Sequence, residues 1–540
     1  MLWFPKVAHS VYSALLLLAD MDFLIDLTDI AIPLLILLAF IYYFIWLHRR
    51  NDYFRSKPIP SLPGSLFFGG TKPLMMSKVS FPEYVKCIYD KFPDAKVFGV
   101  MNSILPLYVM RDPELIKKIV IKDFDHFTNH RPIFGSDHGD HPNRIVCKAL
   151  FALTGQKWKT MRAIMSPVFV GPEMELMLEL IVDCSIGLVT YCRKQGGAKE
   201  CDMKDVFARY SNDVIATCAF GVKLKSLSDR DNQFYHSVKD MMMLTSLKTR
   251  LKIFGYSLAP WLTNWFGIDT INFWSSCLIR DMVRMLEDNG IIRPHMHRLL
   301  HLLMESRKGV PKEDFETTRS QPAVILTVSE MIGQCLFFFL AGFDTVSTSM
   351  TFLAYELALN PDIQEKLYEE IAATYQSLNK RTITFEALQA MKYLDMVISE
   401  TLRLWPSAPA VDRLCVQDYT LDDDQGLRCH MEKGTGVWIP IYGIHRDPKY
   451  FPEPDKFDPE RFSEQRKGDI QSGTYMPFGI GPKSCIGMRF ALMELKCIVY
   501  YLLLNFRLQR TENTTVPPML EKGFVTFRAA NGLKLKMVPR

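Results

Sequence analysis

Residues 476–491 constrain this chain more than any other stretch: Met-Pro-Phe478-Gly-Ile-Gly481-Pro-Lys483-Ser-Cys485-Ile-Gly487-Met-Arg489-Phe-Ala. Glycines and prolines hold its first part in an irregular loop, and from Ile486 to Leu504 an apolar run follows with helical spacing. Cys485 therefore falls where a loop hands over to a helix N-terminus. Unpaired backbone N–H groups and the positive end of the helix dipole favour an anion there. A thiol so placed is expected to lean toward thiolate, the form that binds a metal. Gly481 and Gly487 flank it where a side chain would collide with a flat group lying over the sulfur, and glycine also permits positive φ. A free cysteine by itself is usually a small buried hydrophobe, so the surrounding pattern carries the argument.

The rest of the composition sets bounds. The 540 residues, 48% of them hydrophobic, suffice for one large catalytic unit plus an anchor. A net charge of +5 with no dense Lys/Arg block gives no reason to expect nucleic acid as a partner. Twelve cysteines without a C-x-x-C pair read as reduced thiols facing the cytosol. Residues 30–47 are almost wholly apolar and just long enough to span a bilayer. Asp20, Asp22, Asp26 and Asp29 precede them and His48, Arg49 and Arg50 follow, which puts the C-terminal bulk on the cytosolic side. Tyr42, Tyr43 and Trp46 suit an interfacial belt, and no small-residue cleavage site follows. The expected organisation is a luminal segment at 1–29, an anchor at 30–47, a basic and proline-rich linker at 48–64 that holds the rest off the membrane, and one domain at 65–540.

Several other stretches carry chemistry. Trp158 and Arg162 stand four residues apart on one helix face, an indole donor beside a guanidinium. Thr327 and Glu330 form a capping box ahead of an apolar run that should stay helical until Asn360-Pro361. Midway lies Ala341-Gly342-Phe343-Asp344-Thr345, where an acid and a hydroxyl interrupt an apolar helix. Such local inconsistency tends to mark function, although an internally bonded Ser/Thr cluster is the plainer account. Glu400 and Arg403 are spaced to pair on a helix, an arrangement common and weak at surfaces, and Arg461 follows in Phe-Asp-Pro-Glu-Arg-Phe. Runs 105–110 and 436–441 read as strands. His297 and His301 have a zinc-compatible spacing next to His295, but lack an adjacent glutamate or a third ligand. The Met241, Met242, Met243 run reads as adaptable packing.

The order Phe-x-x-Gly-x-x-x-Cys-x-Gly resembles the haem-ligand loop of the cytochrome P450 monooxygenases, most of all insect microsomal members of the group that also contains vertebrate drug-oxidising enzymes. The resemblance covers residues 54–535. It implies a mainly α-helical fold with small β-sheets, preceded by a single transmembrane helix, and a haem b (iron protoporphyrin IX) between the helix at Thr345 and the loop at Cys485. Cys485 is implied as axial iron ligand, in a setting of Phe478, Gly481 and Gly487; thiolate ligation favours O–O cleavage. Trp158, Arg162, His130, Arg131, Arg413 and Lys483 are implied at the haem propionates. Lys483 stands where many members carry arginine, and it cannot make the bidentate contact. Ala341 and Gly342 are implied against the haem, Thr345 and Asp344 in handling water and protons, and Glu400, Arg403 and Arg461 as a structural network behind the loop. Phe134, Phe337, Phe338, Ala341, Ala408, Val411 and Phe524 are implied to face a lipophilic substrate. The implied partners are an NADPH-cytochrome P450 reductase, docking near Lys483, Arg489 and Lys496, and cytochrome b5. The implied place is the endoplasmic reticulum membrane.

Residues 11–19 form a second apolar patch too short to span, and Met21 opens a more ordinary anchor leader. Residues 1–20 are therefore expected to be a start-site extension. N-terminal sequencing of native protein should return a chain beginning at Met21, not at Met1 or Leu2.

Overall fold

The computed structural model describes residues 24–132, 145–196, 200–242, 326–522 and 526–540, together with Leu251, Lys252, Gly255 and Leu258. Residues 1–23, Phe134, Met243, His295, His297, His301 and Phe524 lie outside the described residues. Helix α1 (Leu24–Asn51) carries the apolar run, is long and apolar enough to cross a membrane, and from Ile32 to Trp46 exposes most of its large side chains. The connector that follows is not a free spacer. Phe54 packs edge-on to Tyr108, with ring centroids 5.2 Å apart. Leu62 donates to the Gly99 carbonyl and Gly99 donates to the Pro60 carbonyl, at 2.9 and 2.8 Å. The proline-rich stretch is thus laid along a sheet edge, because its interspersed Ile59 and Leu62 have an apolar surface to bury.

That sheet is four-stranded, in the order β1 (Val97–Asn102), β2 (Leu105–Met110), β7 (Gly436–Ile439), β4 (Val411–Leu414), with only the β2–β7 pair parallel. Strand alternation sends Leu107, Val109 and Trp438 to one face and Tyr108, Met110, Val437 and Ile439 to the other. Both faces are buried, under α2 (Phe81–Asp90) among other elements. A three-stranded sheet orders β3 (Glu200–Asp202), β9 (Lys534–Pro539) and β8 (Phe506–Arg510), and β5 (Tyr419–Asp422) pairs with β6 (Arg428–Met431).

The remaining described elements that position the site are helices: α3 (Gly155–Met165), α4 (Pro172–Lys194), α5 (Met203–Phe220), α6 (Val328–Leu359), α7 (Pro361–Ser377), α8 (Lys392–Leu404), α9 (Ile441–His445) and α10 (Met488–Asn505). α6 has 32 residues and spans about 48 Å. It starts at the capping box: Thr327 Oγ1 accepts from the Glu330 N–H at 3.2 Å and Glu330 Oε2 accepts from the Thr327 N–H at 2.8 Å. It stops where Pro361 begins α7. Although apolar enough to cross a membrane, α6 is mostly buried in protein. Its chief partner is α5, and the approach is close: a Cβ on Gly342 would lie 2.9 Å from Ile215 Cδ1. A Cβ at Gly342 would point toward the Ile215 side chain on α5.

α4, α5 and α10 pack together over a polar seam inside the main hydrophobic core. Ser185 meets Tyr210 at 2.9 Å, and Ser211 donates to Glu494 at 3.2 Å. Burial pushes the Glu494 carboxyl up to about 8, against the smaller opposing pull of the Ser211 hydroxyl. A carboxyl raised on folding holds a proton that the unfolded chain has released, so stability falls as pH rises from about 4.5 to about 8. Glu494→Gln keeps the neutral shape. Its unfolding temperature should therefore be flatter across that window than the wild type's, with the gap widening toward pH 8 in calorimetric scans at stepped pH.

Candidate active site

The Cys485 loop is folded by its own backbone. Gly479 donates to the Met476 carbonyl at 3.0 Å, Ser484 to Gly481 at 2.9 Å and Cys485 to Phe478 at 2.9 Å. Gly479 and Gly481 take φ of +72° and +79°. At Gly481 a Cβ would also meet the Val120 carbonyl oxygen at 2.2 Å, so no other residue fits. Gly487, the residue before α10, is different: its φ is −90° and the only close atom a Cβ would find is Phe169 Cε1, 3.9 Å away. Beyond its chain neighbours, no other atom of the described residues comes within 4 Å of that position, which is the kind of room a flat group over the sulfur requires.

Cys485 is accessible at its surface, whereas most of the described cysteines are buried. The thiol does not lean toward thiolate as expected. Burial in the surrounding protein raises its pKa; the Gly487 N–H and the Arg162 guanidinium lower it, and burial wins. The helix N-terminus is too weak an anion site to overcome desolvation alone.

Around the loop lies a concentration of positive charge. Arg162, on α3, donates from Nη1 to the Ser484 carbonyl at 2.9 Å, tying the helix to the residue before the cysteine. Lys483 Nζ sits 4.5 Å from the ring centroid of Trp158, one turn earlier on the same helix. Burial, with Arg413 and Arg162 nearby, brings the Lys483 ammonium down to about 7. Arg413, on β4, is buried and donates to the Asp412 and Ile480 carbonyls at 2.7 and 3.5 Å. Two buried nitrogens in this cluster, Lys483 Nζ and Arg413 Nε, have no hydrogen-bond partner among the described residues. Buried cationic nitrogens without an acceptor are costly, and these two fit an anionic group reaching the site. The carboxylates at the edge of a haem have the right charge and chemistry.

His130 and Arg131, expected in the same role, turn to a residue the sequence did not single out. Asp412 accepts from the Arg131 N–H at 2.7 Å and from its Nε at 3.2 Å, and lies 3.1 Å from His130 Nδ1. Burial alone would raise the Asp412 carboxyl, but the His130 hydrogen bond and the Arg131 charge and N–H outweigh it and hold it well below the carboxylate range. Burial lowers the His130 imidazole despite that carboxylate. Adjacent strand residues point to opposite faces, so Arg413 serves the loop while Asp412 orders the segment ahead of Pro132. Its only sequence signal is an acid next to Arg413.

On α6, Phe337, Ala341 and Thr345 form a stripe of partly accessible residues at four-residue spacing, whereas Phe338 is buried against Phe169. Ala408 and Val411 are also partly accessible. Thr345 Oγ1 donates to the Ala341 carbonyl at 2.6 Å, and Ser407 donates to the Thr345 carbonyl at 2.9 Å. Asp344 is committed to another partner. Lys204, on α5, donates from Nζ to Asp344 Oδ1 at 2.9 Å and also reaches Ser347 and Thr348, both at 2.8 Å, while Thr526 donates to Oδ2 at 3.0 Å. Burial alone would raise the Asp344 carboxyl; the Lys204 ammonium more than reverses this, so the acid is ionised. Lys204 lies 140 positions away in the chain, and no local pattern could have found it.

The Glu400–Arg403 pair is no surface pair. Both side chains are fully buried, with Nε–Oε2 and Nη2–Oε1 distances of 2.7 and 2.8 Å. Arg461 joins Glu400 at 3.4 Å, and Arg403 Nη1 donates to the His445 and Pro454 carbonyls at 2.8 Å each. The cationic face expected beside Cys485 is thinner than it looked: Lys496 is buried against Asp395 at 2.7 Å and Lys483 points inward, leaving Arg489 exposed, with Met488 and Ile121 exposed as well.

Comparison with known proteins gives the family. Residues 60–537 match the family described as Cytochrome P450. The chain is 37% identical to probable cytochrome P450 9f2 of Drosophila melanogaster over 506 residues, covering 92% of this chain and 96% of that one. It is 38% identical to cytochrome P450 9e2 of Blattella germanica over 502 residues, covering 88% and 92%. To cytochrome P450 6j1 of Blattella germanica it is 35% identical over 501 residues, covering 92% and 95%.

Removing the carboxylate that orders the His130–Arg131 segment leaves a desolvated guanidinium unpaired. Asp412→Ala should cost about 3–5 kcal/mol in denaturant unfolding. Asp412→Asn, which can still accept from the Arg131 N–H, should cost less.

Proposed function

Because the chain belongs to the cytochrome P450 family, and is thereby a haem-containing oxidoreductase of the monooxygenase class, we propose that it inserts one oxygen atom of O2 into lipophilic small molecules, xenobiotics or endogenous lipids and hormones. The electrons come from NADPH through a membrane-bound reductase, with cytochrome b5 as a second donor. The observation that carries this reading is the pair of orphaned cationic nitrogens, Arg413 Nε and Lys483 Nζ, buried beside an accessible Cys485.

Haem b, when bound, supplies the redox-active iron whose thiolate ligation favours O–O cleavage. Cys485 would hold the iron through Sγ, with the Gly487 N–H and Arg162 favouring the anionic sulfur. Arg162, Arg413, Lys483 and Trp158 would neutralise and orient the propionates, and His130 and Arg131 would support that edge from their anchorage on Asp412. Lysine at 483 offers a point charge in place of a fork, and its stacking on Trp158 compensates by fixing where that charge lies. The accessible stripe Phe337, Ala341, Thr345 would face the substrate side. Thr345 Oγ1 can leave the Ala341 carbonyl to hold a water, and the ionised Asp344, whose Oδ2 now takes the Thr526 hydroxyl, would have to accept a proton before handing one inward.

The apolar character of that stripe supports a lipophilic substrate and weak discrimination among similar ones. The exposed apolar face of α1, with His48, Arg49 and Arg50 in its last turn, supports a single span of the endoplasmic reticulum membrane with the catalytic part in the cytosol. Arg489, exposed next to Met488 at the start of α10, is the surface at which the reductase would dock.

The carbon monoxide difference spectrum of the dithionite-reduced protein tests the root of this reading. Wild type should give the strongly red-shifted Soret band of a thiolate-ligated haem, and Cys485→Ser should lose it. An imidazole-like band from folded wild type would overturn the assignment of Cys485. With that band in hand, NADPH consumption should depend on added reductase and rise with lipophilic substrates.

A further inference from the structure

Histidine 445 ends α9, is wholly buried, and has no place in the roles assigned so far. Its two ring nitrogens are both used. Nε2 lies 3.0 Å from the backbone nitrogen of Met476, which can only donate, so Nε2 is the unprotonated nitrogen. The proton then sits on Nδ1 and is given to the Arg403 carbonyl at 3.1 Å. Arg403 returns a hydrogen bond to the His445 carbonyl at 2.8 Å, and the ring stacks on Tyr475, centroids 5.5 Å apart, whose hydroxyl donates to the Ser399 carbonyl at 3.0 Å. Met476 is where the loop begins: its carbonyl takes the Gly479 N–H, and Phe478 takes the Cys485 N–H.

We propose that His445 is a positioning residue for the Cys485 loop, its imidazole fastening the first backbone N–H of that loop to the helix that carries the Glu400–Arg403 pair. The proposal rests on Cys485 being the iron ligand. A neutral imidazole donates at one nitrogen and accepts at the other, so no other side chain bridges a carbonyl and an N–H with one rigid ring.

The two bonds can be separated. Asparagine places its amide N–H near the Nδ1 position and keeps the Arg403 bond; glutamine reaches the Nε2 position and keeps an acceptor for Met476; phenylalanine fills the space and keeps neither. In full-length, haem-loaded protein, amide hydrogen exchange of peptides spanning residues 476–485 should rise about tenfold in His445→Phe and His445→Asn, the worth of one hydrogen bond. The reduced carbon monoxide complex of both should lose its thiolate-type band faster than wild type. His445→Gln should restore exchange and band stability toward wild type. If glutamine is as labile as phenylalanine, or if all three variants exchange like wild type, the Met476 tether is not what His445 provides. A wild type without the thiolate-type band would remove the premise and the proposal with it, and that failure is read from the wild-type spectrum alone.

Discussion

A carboxylate and a guanidinium with no exposed surface, Glu400 and Arg403, hold the centre of this structure. Two charges so completely desolvated repay the cost of burial only if every remaining donor and acceptor is used. They are used outward: Arg403 takes the carbonyls of His445, Pro454 and Lys456, and Glu400 takes the Asp458 N–H and Arg461. The demand for satisfaction thereby gathers residues 445–461 around one helix, and through His445 and Met476 it reaches the loop that carries Cys485.

The site itself is built against the same electrostatic rule. Arg162, Arg413 and Lys483 are crowded beside one loop, and two of their nitrogens are left without partners. A fold optimised for stability alone would pair or expose them. Local cost of this kind is what a fold tolerates where a ligand is to complete it. Asp412 shows the contrast: it is equally buried but fully engaged by His130 and Arg131, and it belongs to the scaffold.

Charge also organises the long helix. Asp344 interrupts an apolar run, and Lys204 on α5 answers it, so the acid that marks the helix as functional in sequence also locks it to its neighbour. The same contact surface favours Gly342, where the end of the Ile215 side chain takes the space of a Cβ. One short segment therefore serves two ends, helix packing on one face and the accessible stripe at Ala341 and Thr345 on another.

Local physics was legible in the chain. The capping box set the start of α6 and Pro361 its end; the alternation of 105–110 gave β2; and the glycine-rich stretch before Cys485 read as a loop feeding a helix, which α10 is. These features depend on residues a few positions apart, and so does the apolar length of α1. Tertiary structure decided what depends on distant neighbours. The proline-rich connector looked like a spacer until Phe54 and Leu62 found a sheet to bury against. The spacing of Glu400 and Arg403 said only that they could pair, and their complete burial came from the tertiary structure. The helix N-terminus promised a thiolate at Cys485, and desolvation, a property of everything packed around it, reversed the sign. Asp412, Lys204 and His445 carry no motif, since their partners lie 31 or more positions away, and electrostatics acts through space while pattern is read along the chain.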